Sequence, residues 1–404
     1  MRTGKGPAVA LAVVVFLVVT SVLVYLGRGS APAGDDAAAA RSTAAGAVST
    51  PADGNGQRSE ASPTTGAEPP RAASNVPLTK LRKGEKPPQF VLFSLDGAGS
   101  HGIWQQFLTT AAASSARFTA FLTGTYLIAD EHADAYTGPG HERGASSAGF
   151  GGARSDIATE VGDLSAAWAA GHEIGTHYNG HFCAGSPPSG DDWTTADWDS
   201  ELRQFRTFVD TFRAISGYDD IPPLPFTSAN IRGGRIPCLE GDLAAVTPVW
   251  KKYGMTYDTS KNRFTGIAWP EALDGIWEFQ VPYAYSPAFG RNVIGMNYNM
   301  WATFNGAKDD PSSVEQLRAW VRQTYDYQFD AVFNGNRAPL VIETHASDWN
   351  GDAFVPPALD FMADVCVRDD VICATFSDVV AWMQAQDPDV LRELQSRAPV
   401  ATGP

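Results

Sequence analysis

In the run GHEIGTHYNGH (171–181), His177 and His181 stand four residues apart, just after a short apolar, strand-like stretch. Neutral imidazoles at i and i+4 on a helical turn point the same way, so both can reach one metal ion. Further reactive groups fall at the ends of other predicted strands: Asp96 in FSLDGAG, Arg235 in RIPC, Asp258 in TYDTS and His345 in IETH. Imidazoles to hold a metal, carboxylates to move protons and a guanidinium to orient them are the parts of a metal-assisted hydrolase.

Such groups must be positioned by regular elements. QFVLFSL (89–95), FTAFLTG (118–124), HEIGTH (172–177), SANIRG (228–233), MTYD (255–258), IWEFQV (276–281), PLVIET (339–344) and VICATF (371–376) read as strands. Helical patterns lie between them. The clearest is 194–216, with Trp198, Leu202, Phe205, Phe208, Val209, Phe212 and Ile215 on one stripe. Alternating strands and helices predict an α/β fold with a parallel sheet or barrel. In a barrel the chemistry sits at the C-terminal strand ends. Asp96, His177, Asp258 and His345 share that rim, and Arg235 follows its strand by a few residues. There is no internal repeat.

The flanks differ in kind. Residues 1–5 carry Arg2 and Lys5, and 6–27 contain no charge. Such a run is long enough to cross a bilayer, and the preceding cations keep the N-terminus cytoplasmic. Its length favours an uncleaved transmembrane anchor over a signal peptide, although Ala31-Pro32-Ala33 resembles a cleavage site that would release the chain. Residues 28–87, rich in Ala, Pro, Ser, Thr and Gly, are expected to be a disordered linker with a mean span of roughly 40 Å. The folded domain is expected at 88–388, with a C-terminal tail at 389–404. This places a single-pass protein in the cell membrane with its domain on the cell-wall side.

Hydrophobic residues make up 44% of the 404, enough for a sizeable core, and a net charge of −15 excludes a nucleic-acid partner. No protein partner is evident. Four cysteines permit three pairings. The expected one is Cys183–Cys238, joining two site segments, with Cys366–Cys373 closing a local loop.

Over roughly 88–385 these residues resemble the polysaccharide deacetylases, the NodB-homology domain of carbohydrate esterase family four. Ser94-Leu95-Asp96-Gly97 matches the first of the family's five motifs, His177–His181 the second, Arg235-Ile236-Pro237-Cys238 the third, Asp258 the fourth and His345 the fifth, in the family's order. FTAFLTGTYL is similar to another family strand. The resemblance implies a distorted (β/α) barrel of seven or eight strands. It implies that His177 and His181 hold a divalent metal, most commonly Zn2+. It makes Asp96 the general base, Arg235 and Asp258 the pair that tunes it, His345 the general acid and a backbone N–H near Cys238 the oxyanion donor. The implied reaction removes N-acetyl groups from an amino-sugar polymer, peptidoglycan or a chitin-like glycan.

Two positions depart from the pattern. The family's second motif-one Asp, a metal ligand, is Gly97 here. Asp96 then either joins the metal or remains the base, or another carboxylate substitutes, with Glu343 and Asp348 as candidates. The apolar residue two before the motif-five histidine is Glu343. Gly97 keeps open a catalytically silent glycan-binding domain; Glu343 keeps open a hydrolase of another amide or ester. Elsewhere, His172 reads as structural, and His132 and His141 as solvated within a Gly-rich loop, 129–152, long enough to act as a lid. Trp193, Trp198, Trp269, Trp277 and Trp301 read as core or loop anchors, and Trp349, four residues after His345, as the best sugar-stacking candidate.

Overall fold

In the computed structural model, which describes residues 71–262 and 264–403, the run Gln89–Gly97 forms strand β1 and is buried almost throughout. Burial on both faces is what a near-continuous apolar run in a parallel sheet requires. The other strands are β2 (Phe118–Leu122), β3 (Glu173–Thr176), β4 (Gly233–Gly234), β5 (Tyr257–Asp258), β6 (Glu271–Leu273), β7 (Ile276–Glu278), β8 (Tyr283–Ser286), β9 (Arg291–Ile294), β10 (Leu340–His345) and β11 (Val371–Cys373). The helices are α1 (His101–Ser114), α2 (Arg154–Ala169), α3 (Thr195–Ser216), α4 (Leu243–Lys252), α5 (Asn297–Asn305), α6 (Val314–Asn334), the short turn α7 (Trp349–Asp352), α8 (Val355–Val365), α9 (Phe376–Ala385) and α10 (Pro388–Gln395).

Nine strands make the main sheet, in the order β10-β1-β2-β3-β4-β5-β7-β6, with β11 beside the first residues of β1. All pairings are parallel except β6 with β7. The expected barrel is therefore a curled, open sheet: its end strands β10 and β6 do not pair. Phe121 from β2, Tyr257 from β5, Phe279 after β7 and Phe376 at the start of α9 meet at centroid distances of 5.2–5.7 Å. Side chains from strands this far apart in the sheet meet only across its concave side, so these rings fill the inside of the curl. Helix α3 buries Trp198, Leu202, Phe205, Phe208, Val209 and Phe212 as its stripe predicts.

Several expected boundaries move. The predicted strand at 228–233 is a 3₁₀ turn over Ser228–Asn230, and only Gly233–Gly234 pairs with its neighbours. Residues 71–87, expected in the linker, run as an extended strap on the domain. Arg71 sits 4.2 Å over Trp168 and donates to the His172 carbonyl, Asn75 donates to the Cys373 carbonyl, and Val76 is buried. Their composition is linker-like, but hydrogen bonds and a few apolar anchors suffice to dock them. The expected tail contributes most of α10, with Val390 and Leu394 buried, and Val400 bridges to Ile267. The loop 129–152 is anchored rather than free: Tyr136 is buried, and His141 stacks on Phe182 and donates to the Pro188 carbonyl. The anchor expected at 6–27 lies outside the described residues, among which no helix is long and apolar enough to cross a membrane.

His172 is structural, as expected. It is buried, stacks on Phe118 at 3.9 Å and accepts the Phe118 N–H at Nδ1. Burial, reinforced by Arg117 and Arg71, lowers its pKa to about 3. The unfolded chain takes up this proton near the ordinary value of about 6.5, so the stability it confers is complete above that pH and lost as pH falls toward 3. His172→Asn, which preserves an acceptor, is expected to melt below the wild type by a margin that narrows as pH is lowered from 7 to 4. The limiting slope is about 1.4 kcal/mol per pH unit. Parallel melting-temperature curves across that range would refute the buried neutral imidazole.

Candidate active site

Ser94 and Asp96 alternate with apolar residues along β1, so both face the same side. There they meet Arg235, which follows β4 and is fully buried. Arg235 Nη1 donates to Ser94 Oγ at 2.8 Å and to Asp96 Oδ1 at 2.7 Å. Its Nε and Nη2 donate to the Thr259 carbonyl and hydroxyl, and its Cζ lies 4.9 Å over Phe121. Burial alone would raise the Asp96 pKa, but the Arg235 guanidinium, with His345 beyond it, outweighs it and holds the carboxyl below its usual range. Asp96 Oδ2 is buried and has no hydrogen-bond partner among the described residues. Immediately after it the chain turns through two left-handed residues, Gly97 (φ 81°) and Ala98 (φ 57°).

His177 and His181 do come together, but not on a helix. They flank a loop in which Tyr178 and His181 are left-handed (φ 57° and 54°), with ring centroids 5.2 Å apart. The loop is held from outside. Glu201, buried on α3, accepts the N–H groups of Asn179 and Gly180 and the Tyr136 hydroxyl. Sequence reasoning passed over Glu201; the available signal was a carboxylate beside the apolar stripe of α3. His177 Nδ1–H donates to the Arg235 carbonyl at 2.9 Å, which leaves Nε2 as its acceptor nitrogen. Burial lowers His177 to about 3 and His181 to about 4, so both rings are neutral. The expected disulfide is present: Cys183–Cys238, with Cα atoms 6.0 Å apart, ties this loop to the segment after Arg235, and Cys366–Cys373 closes the turn before β11.

His345 ends β10, in register with Asp96 on β1. Its Nδ1–H donates to Asn297 Oδ1 at 2.6 Å, and Glu343 Oε1 lies 2.6 Å from the same nitrogen. Asn297 also donates its backbone N–H to Glu343 Oε2. Neither Asn297 nor this pairing for Glu343 was foreseen. Burial pulls the His345 pKa down, but the adjacent Glu343 carboxylate prevails and raises it.

Asp258, expected to act with Arg235 in tuning Asp96, directs its carboxylate to Ser260. The carboxylate accepts the Ser260 hydroxyl and N–H, and Asp258 lies in register with the buried Glu278 on β7. The guanidinium turns to Thr259 and Ser94 instead. Burial raises the Asp258 pKa.

Donor atoms of Asp96, Glu343 and His345 lie within 4.8 Å of one another, whereas Asp96 forms no such set with His177 and His181. The carboxylate therefore sits on the His345 side of the site. A similar set, His181 with Cys183 and Cys238, has both sulfurs committed to the disulfide. Two neutral imidazoles, one already oriented by a backbone carbonyl, fit a divalent metal held with few protein ligands. Asp348 is exposed and joins no such set.

No known family's sequence profile matches this chain, and no curated protein matches it in sequence. Solved structures to which it is similar include a protein described as a polysaccharide deacetylase from Mycobacterium smegmatis (TM-score 0.43, 16% identity, covering 80% of this chain and 98% of that one). A family 4 carbohydrate esterase from Streptomyces lividans in complex with acetate follows (TM-score 0.37, 15% identity, 72% and 95% covered). The family 4 pseudoenzyme BA3943 from Bacillus anthracis is also among them (TM-score 0.34, 8% identity, 71% and 65% covered). At these identities nothing about activity passes from those proteins to this chain.

Removing one member of a buried ion pair strands the other, at a cost of about 3–5 kcal/mol. Arg235→Met is expected to lose that much in urea unfolding at pH 7, and Arg235→Met with Asp96→Leu to recover part of it. A loss below about 1 kcal/mol in the single variant would mean that the pair does not hold the rim together.

Proposed function

We propose that this chain is a metal-dependent hydrolase that removes N-acetyl groups from an amino-sugar polymer at the cell envelope. The observation that carries this is the pairing of opposite proton-transfer groups at one rim. Asp96 is held ionised by Arg235 with one oxygen unpartnered, and His345 is held toward its cation by Glu343, within 4.8 Å of one another and beside two neutral imidazoles. Asp96 Oδ2 takes the proton of the attacking water; its place on the His345 side favours the role of base over that of ligand. His345, with Nδ1–H donated to Asn297 and the Glu343 carboxylate 2.6 Å from that nitrogen, presents Nε2–H to the leaving amine. A divalent metal bound by His177 and His181, zinc being the expected one, would polarise the acetyl carbonyl and acidify water. The backbone N–H near Cys238 serves as the oxyanion donor. The charge-free segment 6–27 supports a membrane-anchored protein whose domain faces the cell wall.

Gly97 favours a second reading, a domain that binds glycan without turnover. The test is acetate release by the full chain from peptidoglycan and chitin oligomers, after chelation and then with zinc, cobalt or nickel restored. Metal-restored release, reduced about 100-fold or more in Asp96→Asn and His345→Asn, is the expected result. No release by the wild type, with release gained in Gly97→Asp, would instead establish the silent reading. That substitution meets only Tyr126 at 3.9 Å but carries a left-handed strain of about 1–2 kcal/mol.

Glu343→Gln is a separate prediction. It removes the charge that raises His345, so the alkaline limb of kcat/KM should move to lower pH. An unmoved limb would show that Glu343 does not act through the imidazole.

A further inference from the structure

Beside His345 lies an aromatic row that proton transfer does not use. Trp349, on the turn after β10, has its ring centroid 5.0 Å from that of His345. It stacks on the buried Trp301 at 5.9 Å and meets Tyr298 edge-on at 5.5 Å. Tyr298 is 47% exposed, and among the described residues only Leu78 and Val367 are other large apolar side chains left this open. Those two lie on the N-terminal strap and at the turn before β11. A single exposed apolar side chain is ordinary; one that continues a row of touching rings into the candidate acid is not explained by packing.

The row is fixed by the groups that fix His345. Asn297 Oδ1 accepts both the His345 Nδ1–H and the Tyr298 N–H, so the tyrosine backbone and the imidazole share one anchor. Past Trp349 the chain passes through three consecutive left-handed residues, Asn350, Gly351 and Asp352, at φ 49–66°. Asn350 Oδ1 accepts the Asp310 N–H, and Arg318 donates to the Asp352 carbonyl. Backbone conformations of this kind persist where surrounding contacts over-determine them, and the result here is a ring held in place before any ligand arrives. A rigid aromatic surface with a polar edge suits a ligand with an apolar face and hydroxyls around it, which describes a pyranose ring.

Resting on the amino-sugar reading above, we propose that Tyr298 and Trp349 form a stacking subsite for a pyranose ring of the glycan, adjacent to the sugar whose acetyl group reaches His345. Tyr298 bears the sugar's apolar face, and Trp349 sets the distance from that ring to the reacting centre. The chain would therefore bind an oligomer better than a single sugar.

The test is calorimetric titration of the full chain, under chelation to prevent turnover, with a linear N-acetylglucosamine tetramer and with the monosaccharide. The tetramer should bind the more tightly. Tyr298→Ala should weaken it about tenfold, while Tyr298→Phe, which keeps the ring, should stay within about twofold of the wild type. Tetramer binding undiminished in Tyr298→Ala overturns the subsite and leaves the amino-sugar reading standing. Acetate release by the wild type without measurable tetramer binding has the same meaning. Neither binding nor acetate release from any amino-sugar polymer overturns both.

Discussion

A guanidinium with no exposed surface, pressed between a carboxylate, two hydroxyls, a carbonyl and an aromatic face, is the constraint on which the rest of this rim depends. Arg235 cannot shed its charge, so its surroundings must answer nearly every N–H. Asp96 answers with charge, Ser94 and Thr259 with neutral acceptors. In doing so Arg235 joins β1 to the segments after β4 and β5. Its own carbonyl accepts from His177, so the residue that holds Asp96 also orients an imidazole of the neighbouring loop.

The electrostatic pattern follows from unequal partnering at similar burial. For His177 and His181 burial outweighs the pull of Asp96 and drives both neutral; His345 has Glu343 at 2.6 Å and is driven the other way. Asp96 has a cation and is held below its usual range, while Asp258, buried beside Glu278 with no arginine on its carboxylate among the described residues, is pushed up. Groups whose environments push their pKa values apart are the requirement for acid and base chemistry at one pH.

Outside the rim, support comes from groups with no chemistry of their own. Glu201 accepts from three donors and shapes the loop that separates the two imidazoles. The Cys183–Cys238 bridge, closing 55 residues, removes unfolded-state freedom worth about 4 kcal/mol in the chain-entropy account. Both act where the backbone departs from regular structure, between β3 and α3 and after Arg235.

Much of this was determined by the sequence alone. The parallel strands, the long amphipathic helix and the gathering of Asp96, His177, Arg235 and His345 at one rim follow from periodicity and from the position of each residue at a strand end, because strand direction fixes which end a residue occupies. The cysteine pairing was also anticipated, as a choice among three. What only the tertiary structure decided is which neighbour each group touches. Asp258 and Thr259 are adjacent in sequence, and a side chain's facing changes with every residue along an extended chain, so nothing local says which of them meets Arg235. Sheet closure depends on whether β10 and β6 find each other, a contact between segments far apart in the chain. The pairing of His345 with Asn297 joins residues 48 positions apart, and the loop from His177 to His181 owes its shape to a glutamate on the following helix. Local pattern records a residue's own periodicity; a partner brought near by the fold leaves no trace in it.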